Sequence, residues 1–175
     1  MHLRSLLLTA LLCACRRGES VNRTASDSQP SLQPPAQIAD SYPSVDDARL
    51  TIGQLRLGLT EAEGRRLLGE PSSKSEPHNE EVLADPTWKL VYPDVTIDFT
   101  GSRATRISCM GQACVTPDSI RMGDSRARVE RAYGPGRYDP IGESLTYFAR
   151  RSDCALTFVF FSDRVGTIKL SCDQT

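Results

Sequence analysis

A seventeen-residue segment that occurs twice constrains the fold of this chain more than any other feature. The two copies span residues 55–71 and 120–136 and align without a gap at an offset of 65 residues, from position 58 to position 123. The clearest aligned pairs are Gly58 with Gly123, Thr60 with Ser125, and Gly69 with Gly134. Because this offset is longer than the unit of a helical solenoid, it predicts two small folded units.

Each copy carries the signals of a short helix. Thr60 and Ser125 are good N-caps, because a hydroxyl can accept a hydrogen bond from a free N–H in the first turn. Glu63 follows Thr60 by three residues, which completes a capping box in the first copy. Gly69 and Gly134 are typical of a helix end, and a proline follows close behind each. Helices of roughly nine residues are marginal alone, so they must pack on something.

Segments of alternating hydrophobicity follow each predicted helix. They span 88–92, 95–100 and 104–109 in the first half, and 144–150, 155–161 and 165–172 in the second. Such alternation predicts antiparallel strands with one buried face and one solvated face. We therefore expect an α+β fold of two tandem repeats, at 51–116 and 117–175, each a short helix followed by a three-stranded antiparallel meander.

Some large apolar residues stand at positions that the alternation assigns to the solvated face. Phe148, Val159 and Phe161 are the main examples in the second half. They either pack against the rest of the chain or form an apolar surface for a partner. The only tryptophan, Trp88, has the same two interpretations, and the apolar residues that share its face favour the core.

Cysteines past the N-terminal region predict disulfides, since an even number in an exported chain favours pairing. A turn centred on Asp163 places Cys154 opposite Cys172 on one sheet face, within disulfide reach. This leaves Cys109 to pair with Cys114. A zinc site is the alternative, but the spacing is not a usual zinc spacing and the expected compartment is oxidising. We predict no metal and no cofactor.

The N-terminus has the pattern of an export signal over residues 1–14. One early arginine precedes an apolar run that is too short to span a bilayer. The run ends in Leu12-Cys13-Ala14-Cys15, which resembles the lipobox of bacterial lipoproteins and predicts lipidation of Cys15. Acyl chains there would anchor the protein to a membrane. An ordinary secretory signal cleaved nearby is the alternative.

The position after the predicted lipidated cysteine bears on sorting. It is Arg16, not the aspartate that retains lipoproteins at the inner membrane in enterobacteria. We therefore expect an outer-membrane protein on the periplasmic side, with secretion or the cell surface as alternatives. Residues 15–50 are rich in Ser, Pro, Gln and Asp, which predicts a disordered tether of about 30 Å.

Charge and catalytic motifs exclude several classes of function. A formal net charge of −1 argues against a nucleic-acid-binding protein. His78 is the only histidine past the signal, it lies in a polar loop, and no nucleophile elbow accompanies it. We therefore predict neither an enzyme nor a small-molecule substrate. Arg126, Arg128 and Arg131 form either a solvated helix face or a contact surface for an acidic partner.

The repeated pattern resembles that of the BamE/SmpA family of small outer-membrane lipoproteins. It is also similar to the related β-lactamase-inhibitor-protein fold, which has two such units in tandem. The matching positions are Leu55, Leu57, Gly58, Thr60, Leu68, Gly69 and Pro71, then Ile120, Met122, Gly123, Ser125, Val129 and Gly134. Gly64 departs from the pattern, because it stands where Val129 supplies an apolar side chain, and Pro135 comes one residue early. BamE itself has a single unit.

The resemblance implies an α+β scaffold used for protein–protein contact, without naming the partner. The sequence thus predicts a non-enzymatic, lipid-anchored envelope protein that binds another envelope protein, with outer-membrane assembly or maintenance as the expected process. A proteinaceous inhibitor of an envelope hydrolase is the alternative function. A structural or stress lipoprotein without one defined partner is a third hypothesis.

Overall fold

The computed structural model describes residues 44–79, 83 and 85–172. The predicted signal peptide, Cys15 and most of the predicted tether lie outside these residues. No helix within the described ranges has the length and apolar character needed to cross a membrane.

Strands dominate the described part of the chain. In chain order the elements are a 3-10 turn (Asp47–Arg49), β1 (Thr51–Ile52), β2 (Leu55–Arg56), α1 (Glu61–Leu68), β3 (Ser73–Lys74), β4 (Thr87–Val91), β5 (Val95–Thr100), β6 (Arg103–Cys109), α2 (Arg126–Tyr133), β7 (Arg137–Asp139), β8 (Ser144–Phe148), β9 (Cys154–Phe161) and β10 (Arg164–Cys172). β1 and β2 form a two-stranded sheet. The other strands form one eight-stranded antiparallel sheet in the order β3-β4-β5-β6-β10-β9-β8-β7.

The predicted fold class, α+β with two tandem repeats of a helix and a three-stranded meander, is wrong. The structure is mostly β, and the strands after both helices belong to one continuous sheet. Antiparallel pairing of β6 with β10, from Ile168 opposite Cys109 to Ser171 opposite Arg106, joins them. The physical reason is that a separate meander would leave an edge of unpaired N–H and C=O groups there. The short strands β3 and β7 extend the sheet further at its two outer sides.

The predicted helix ends are confirmed. Thr60 caps α1, where its hydroxyl accepts from the N–H of Glu63 and its own N–H donates to the Glu63 carboxylate at 2.8 Å. Ser125 caps α2 in the same position. Gly69 and Gly134 end the two helices with φ values of +82° and +84°, where a side chain would strain the backbone.

Both helices lie on one face of the large sheet. In α1, a Cβ placed on Gly64 would lie 3.5 Å from the Cδ1 atom of Ile97 on β5. In α2, the Tyr133 ring centroid lies 5.4 Å from that of Phe158 on β9 and 5.1 Å from that of Tyr147 on β8. The side chains between helices and sheet form the hydrophobic core.

Trp88 belongs to this core. It is 9% exposed, and its ring stacks on Phe99 with centroids 4.1 Å apart. The indole N–H donates to the Gly101 carbonyl at 3.0 Å, so the polar end of the ring is also satisfied. Of the two interpretations of this residue, the core is the right one.

The last residues of the predicted tether are part of the folded structure. Val45 and Leu50 are 3% and 6% exposed. The Val45 N–H donates to the Phe148 carbonyl, and the Arg150 N–H donates to the Val45 carbonyl, both at 2.9 Å. The Ser152 hydroxyl donates to Asp47 at 2.7 Å. The folded part therefore starts before the boundary at residue 51 that the sequence predicts.

Arg49 holds this N-terminal segment against α2. Its guanidinium forms an ion pair with Asp118 at 2.8 Å and donates to the Ala132 carbonyl at 3.0 Å. The same group lies over the Tyr133 ring, 4.3 Å from its centroid.

Short segments cover the two outer sides of the large sheet. On one side, β7 pairs with the start of β8, and Val45 bonds to the backbone beyond it. On the other side, β3 pairs with the end of β4, and the Ser75 and His78 backbones bond to Lys89 and Thr87.

Both predicted disulfides are present. Cys109 and Cys114 are bonded across a Cα–Cα distance of 5.9 Å. Cys154 and Cys172 face each other on β9 and β10, with a Cα–Cα distance of 3.9 Å. Two disulfides are typical of a protein exported to an oxidising compartment.

Candidate interaction surface

The sheet face opposite the helices is the candidate functional site, and we call it the open face. Because paired residues of antiparallel strands share a face, the register defines its rows. The first row is Ser73, Val91, Thr96, Ser108, Lys169, Thr157, Thr146 and Arg137, one residue from each strand. The second row is Lys89, Asp98, Arg106, Ser171, Ala155 and Phe148. The third row is Thr167, Val159, Ser144 and Asp139.

The open face is large enough for a protein contact. Eight strands at a spacing of about 4.8 Å give a width of about 34 Å. The first row crosses eight strands, the second six and the third four, and each position takes about 32 Å² of the sheet. The resulting area of roughly 600 Å² is at the lower end of the ~600–1,000 Å² that one partner buries in a standard protein interface.

Hydroxyl groups occupy much of the open face. Thr96, Ser108, Thr146 and Thr157 are half-buried members of its first row. The hydroxyls of Thr146 and Thr157 lie 3.0 Å apart across β8 and β9. Each hydroxyl can donate and accept, so this part of the surface can satisfy either kind of polar partner group.

The open face carries an excess of positive charge. The cations of the three rows are Lys89, Arg106, Lys169 and Arg137, and all four are exposed. The carboxylates of these rows are Asp98 and Asp139. The three rows thus have a formal charge of +2, four cations against two carboxylates, although the whole chain has −1. Within residues 44–79, 83 and 85–172, none of the four cations forms an ion pair.

Among the residues that the structure describes, seven ion pairs lie on the other side of the sheet and at its ends. The ion pairs there are Arg49–Asp118, Arg56–Glu63, Arg65–Glu61, Arg65–Glu70, Lys74–Glu61, Arg126–Asp163 and Arg128–Asp124. Arg126 also lies over the Tyr138 ring, 4.4 Å from its centroid. Two of the three arginines that the sequence offered to an acidic partner on α2 are therefore already paired.

The titratable groups with shifted pKa values also lie on the helix side. Hydrogen bonding to Lys74 lowers the pKa of the Glu61 carboxyl. Burial opposes this, and a hydrogen bond to Arg65 lowers the pKa further. Burial raises the pKa of Tyr133 and of Tyr147, whose hydroxyl donates to the Gly134 carbonyl at 3.0 Å. These shifts report packing and ion pairing.

The predicted apolar surface residues all point to the open face, but they do not form one compact patch. Phe148 and Phe161 are 39% and 64% exposed, while Val159 is half-buried. Phe148 lies opposite Ala155, so its distance along β9 to Phe161 is about 20 Å. The Phe161 ring also covers Gly166, where a Cβ would collide with it.

His78 lies at the β4 end of this surface. It is exposed, and its Nε2 atom is 2.9 Å from the Thr87 hydroxyl. A recess of about 310 Å³ extends from there towards Asp98 and Arg106. Within the described residues, no group of three or more His, Cys, Asp or Glu side chains could hold a metal ion.

The sequence did not single out Arg106 and Lys169, which lie at the centre of the open face. The sequence does place each of them at a polar position of an alternating strand. It does not indicate that they lie close together, because their proximity depends on the pairing of β6 with β10.

Comparisons with known proteins give only weak similarities. No family model and no curated protein sequence matches the chain. An extracellular protein containing a SCP domain from Bacillus anthracis str. Ames has a TM-score of 0.48 at 12% identity, and the match covers 79% of this chain and 49% of that one. This chain therefore spans about half the length of that protein.

Two further solved structures are similar over most of this chain. The uncharacterized protein yfeY from Escherichia coli has a TM-score of 0.44 at 12% identity, covering 73% of this chain and 99% of that one. The DUF4309 family protein YjgB from Bacillus subtilis has 0.39 at 15% identity, covering 71% and 82%. None of the three is described as a BamE/SmpA or β-lactamase-inhibitor protein. We assign neither family nor function from similarities of this size.

Proposed function

We propose that this chain is an exported, lipid-anchored envelope protein that binds another protein through its open face. The observation that carries the proposal is a sheet of eight strands with both helices on one face. The other face offers about 600 Å² of hydroxyl, cationic and aromatic surface, which is the lower end of the range for one side of a standard interface.

Three residues of the open face fit this role. They are of the aromatic and arginine types in which protein interfaces are enriched. Phe148 and Arg106 share the second row, and Arg137 ends the first row. Strand addition is a less suitable mode of binding, because short segments already cover both outer sides of the sheet.

Photo-crosslinking in cells of the native host tests the proposed function. A benzophenone amino acid replaces Thr96 or Thr146, which flank the centre of the open face on β5 and β8. The matched controls replace Arg66 on α1 or Arg131 on α2, both exposed on the helix side. We expect one protein adduct from both open-face positions and none from the helix positions. Adducts from the helices alone would refute the assignment of the surface.

The anchor is supported by the lipobox-like sequence before Cys15 and by the two disulfides, which fit export. Labelled palmitate should be incorporated into the wild type and not into Cys15→Ala. Retained labelling in the variant would place the lipid on a residue other than Cys15, and an unlabelled wild type would remove the anchor from the proposal. It would also remove the argument for the outer membrane.

A proteinaceous inhibitor of an envelope hydrolase would use the same surface. Two disulfides hold the sheet in advance of binding, and inhibitors commonly bind in this preorganised way. A panel of envelope hydrolases separates the two functions. Stoichiometric inhibition of one enzyme, lost in an open-face variant, would favour the inhibitor over the scaffold.

A further inference from the structure

Two cations lie diagonally across from each other at the centre of the open face, and neither forms an ion pair within residues 44–79, 83 and 85–172. Arg106 on β6 lies opposite Ser171 on β10, and Lys169 lies opposite Ser108. The four positions form a square with the cations on one diagonal, where side chains approach to about 7–8 Å. β6 and β10 are the fourth and fifth of the eight strands, so this square is the middle of the surface.

One carboxylate, that of Asp98, adjoins the square, but no described residue forms an ion pair with either cation. Asp98 lies opposite Arg106 on β5 but also opposite Lys89, and it forms an ion pair with neither. The other neighbour of Lys169 is Thr157, which is uncharged. Like charges in such proximity repel, and an approaching carboxylate would relieve that repulsion.

We propose that the protein partner binds the open face with an acidic residue whose carboxylate docks between Arg106 and Lys169. The hydroxyls of Ser108 and Ser171 stand at the other corners of the square and can donate to the same carboxylate. Residues that dominate binding energy cluster at the centre of an interface, which is where this square lies. The inference rests on the proposed function and adds the chemistry of the partner's contact residue.

An acidic protein fits this surface better than an anionic membrane. Membrane-binding surfaces concentrate four to eight basic residues in one cluster. Here Asp98 and Asp139 interrupt the cations and would repel a uniformly negative surface. The exposed aromatic rings of Phe148 and Phe161 lie at opposite ends of β9, where they can pack against a partner's apolar side chains.

Charge variants of the full-length protein, combined with the Thr96 crosslinker, test this inference. Arg106→Glu and Lys169→Glu should each lower the adduct yield about tenfold, because each replaces attraction by repulsion. Asp98→Asn should raise the yield about threefold, because it removes a negative charge next to the square. Arg131→Glu makes the same charge change on the helix side and should leave the yield unchanged.

The adduct yield should fall in Arg106→Glu and Lys169→Glu but rise in Asp98→Asn. A rise separates docking from loss of folding, because an unfolded variant cannot give a higher adduct yield. Adduct formation in isolated envelopes should also fall as sodium chloride rises from about 50 to 500 mM. If all four variants changed the adduct yield by less than about twofold, the inference would be overturned while the proposed function would stand. No adduct from any open-face position would overturn both. A third outcome would identify a membrane surface instead. In that case the wild type would bind phosphatidylglycerol vesicles, Arg106→Glu would not bind them, and no protein adduct would form.

Discussion

Replacing Gly64 by alanine should stabilise the protein. Gly64 lies in the middle of α1 and is buried, with helical backbone angles. Its added Cβ would lie 3.5 Å from the Cδ1 atoms of Ile97 and Leu59, which is ordinary van der Waals contact. The methyl group therefore fits without displacing the sheet.

The magnitude follows from two contributions. Alanine is more favourable than glycine inside a helix by about 0.8–1.0 kcal/mol. Burial of one methyl group adds up to about 0.8 kcal/mol. We expect Gly64→Ala to raise the free energy of unfolding by about 1–2 kcal/mol. For a domain of this size, that corresponds to an increase of about 0.5–1 M in the urea midpoint.

Gly69→Ala is the matched control, five residues along the same chain. Gly69 has φ +82° and ψ −158°, a region that only glycine occupies readily, and no atom lies within 4 Å of the added Cβ. Strain alone should therefore lower the stability by about 1–3 kcal/mol. Urea unfolding under oxidising conditions measures both variants. A Gly64→Ala variant no more stable than the wild type would refute the described packing of α1 on β5.

Three further outcomes follow from the same structure. Replacing Cys154 and Cys172 by alanine should lower the free energy of unfolding by about 3 kcal/mol, and replacing Cys109 and Cys114 should lower it by about 2 kcal/mol. The first loss is larger because the longer closed loop restricts the unfolded chain more, and urea midpoints would show the difference. The sequence separations of the two pairs are 18 and 5. Thr60→Ala should lower the free energy of unfolding by about 1–2 kcal/mol, and Ser125→Ala by about 1 kcal/mol, as thermal unfolding would show. Thr60 is expected to matter more because it belongs to a complete capping box. Glu61 has a lowered pKa in the folded state, so its contribution is present above its ordinary pKa of 4.5 and is lost as pH falls through the folded value. Stability of Glu61→Gln should therefore decline less steeply below pH 4.5 than that of the wild type, and equal slopes would contradict this.

Local features of the fold were predictable from the sequence because neighbouring residues determine them. The capping residues Thr60 and Ser125 start the helices as predicted. The tight turn at Ser162 and Asp163, followed by a bulge at Gly166, sets the register that brings Cys154 to Cys172. Such signals depend on hydrogen bonds and alternation within a few residues.

The joining of the two sets of strands was not predictable in the same way. β6 and β10 carry the same alternation, and nothing in either strand indicates that they pair with each other rather than remain at the edges of separate sheets. β3 and β7 are short and exposed, so they lack any alternation to detect. Val45 and Leu50 are apolar residues scattered among polar ones, which the composition assigned to a tether.

The candidate surface was predictable only in part. Alternation places Phe148, Val159 and Phe161 on the face away from the helices, as the register confirms. The central pair of cations depends on the contact between β6 and β10, so it appears only after those strands are joined. Whether Arg106 and Lys169 form ion pairs also depends on the neighbouring strands, which no local sequence pattern reveals.

The N-terminal segment that Arg49 holds in place can dock only after later parts of the chain are available. Its hydrogen bonds join residues 69 to 105 positions apart, to Asp118, Arg151 and Ser152 among others. An exported chain emerges from the membrane with its N-terminus first, so Val45 and Asp47 are released long before their bonding partners. The earliest residues of the domain must therefore wait for partners between residues 118 and 152 before they can dock. Until β8 and the loop after it have left the membrane, Val45 has no backbone partner to bond to.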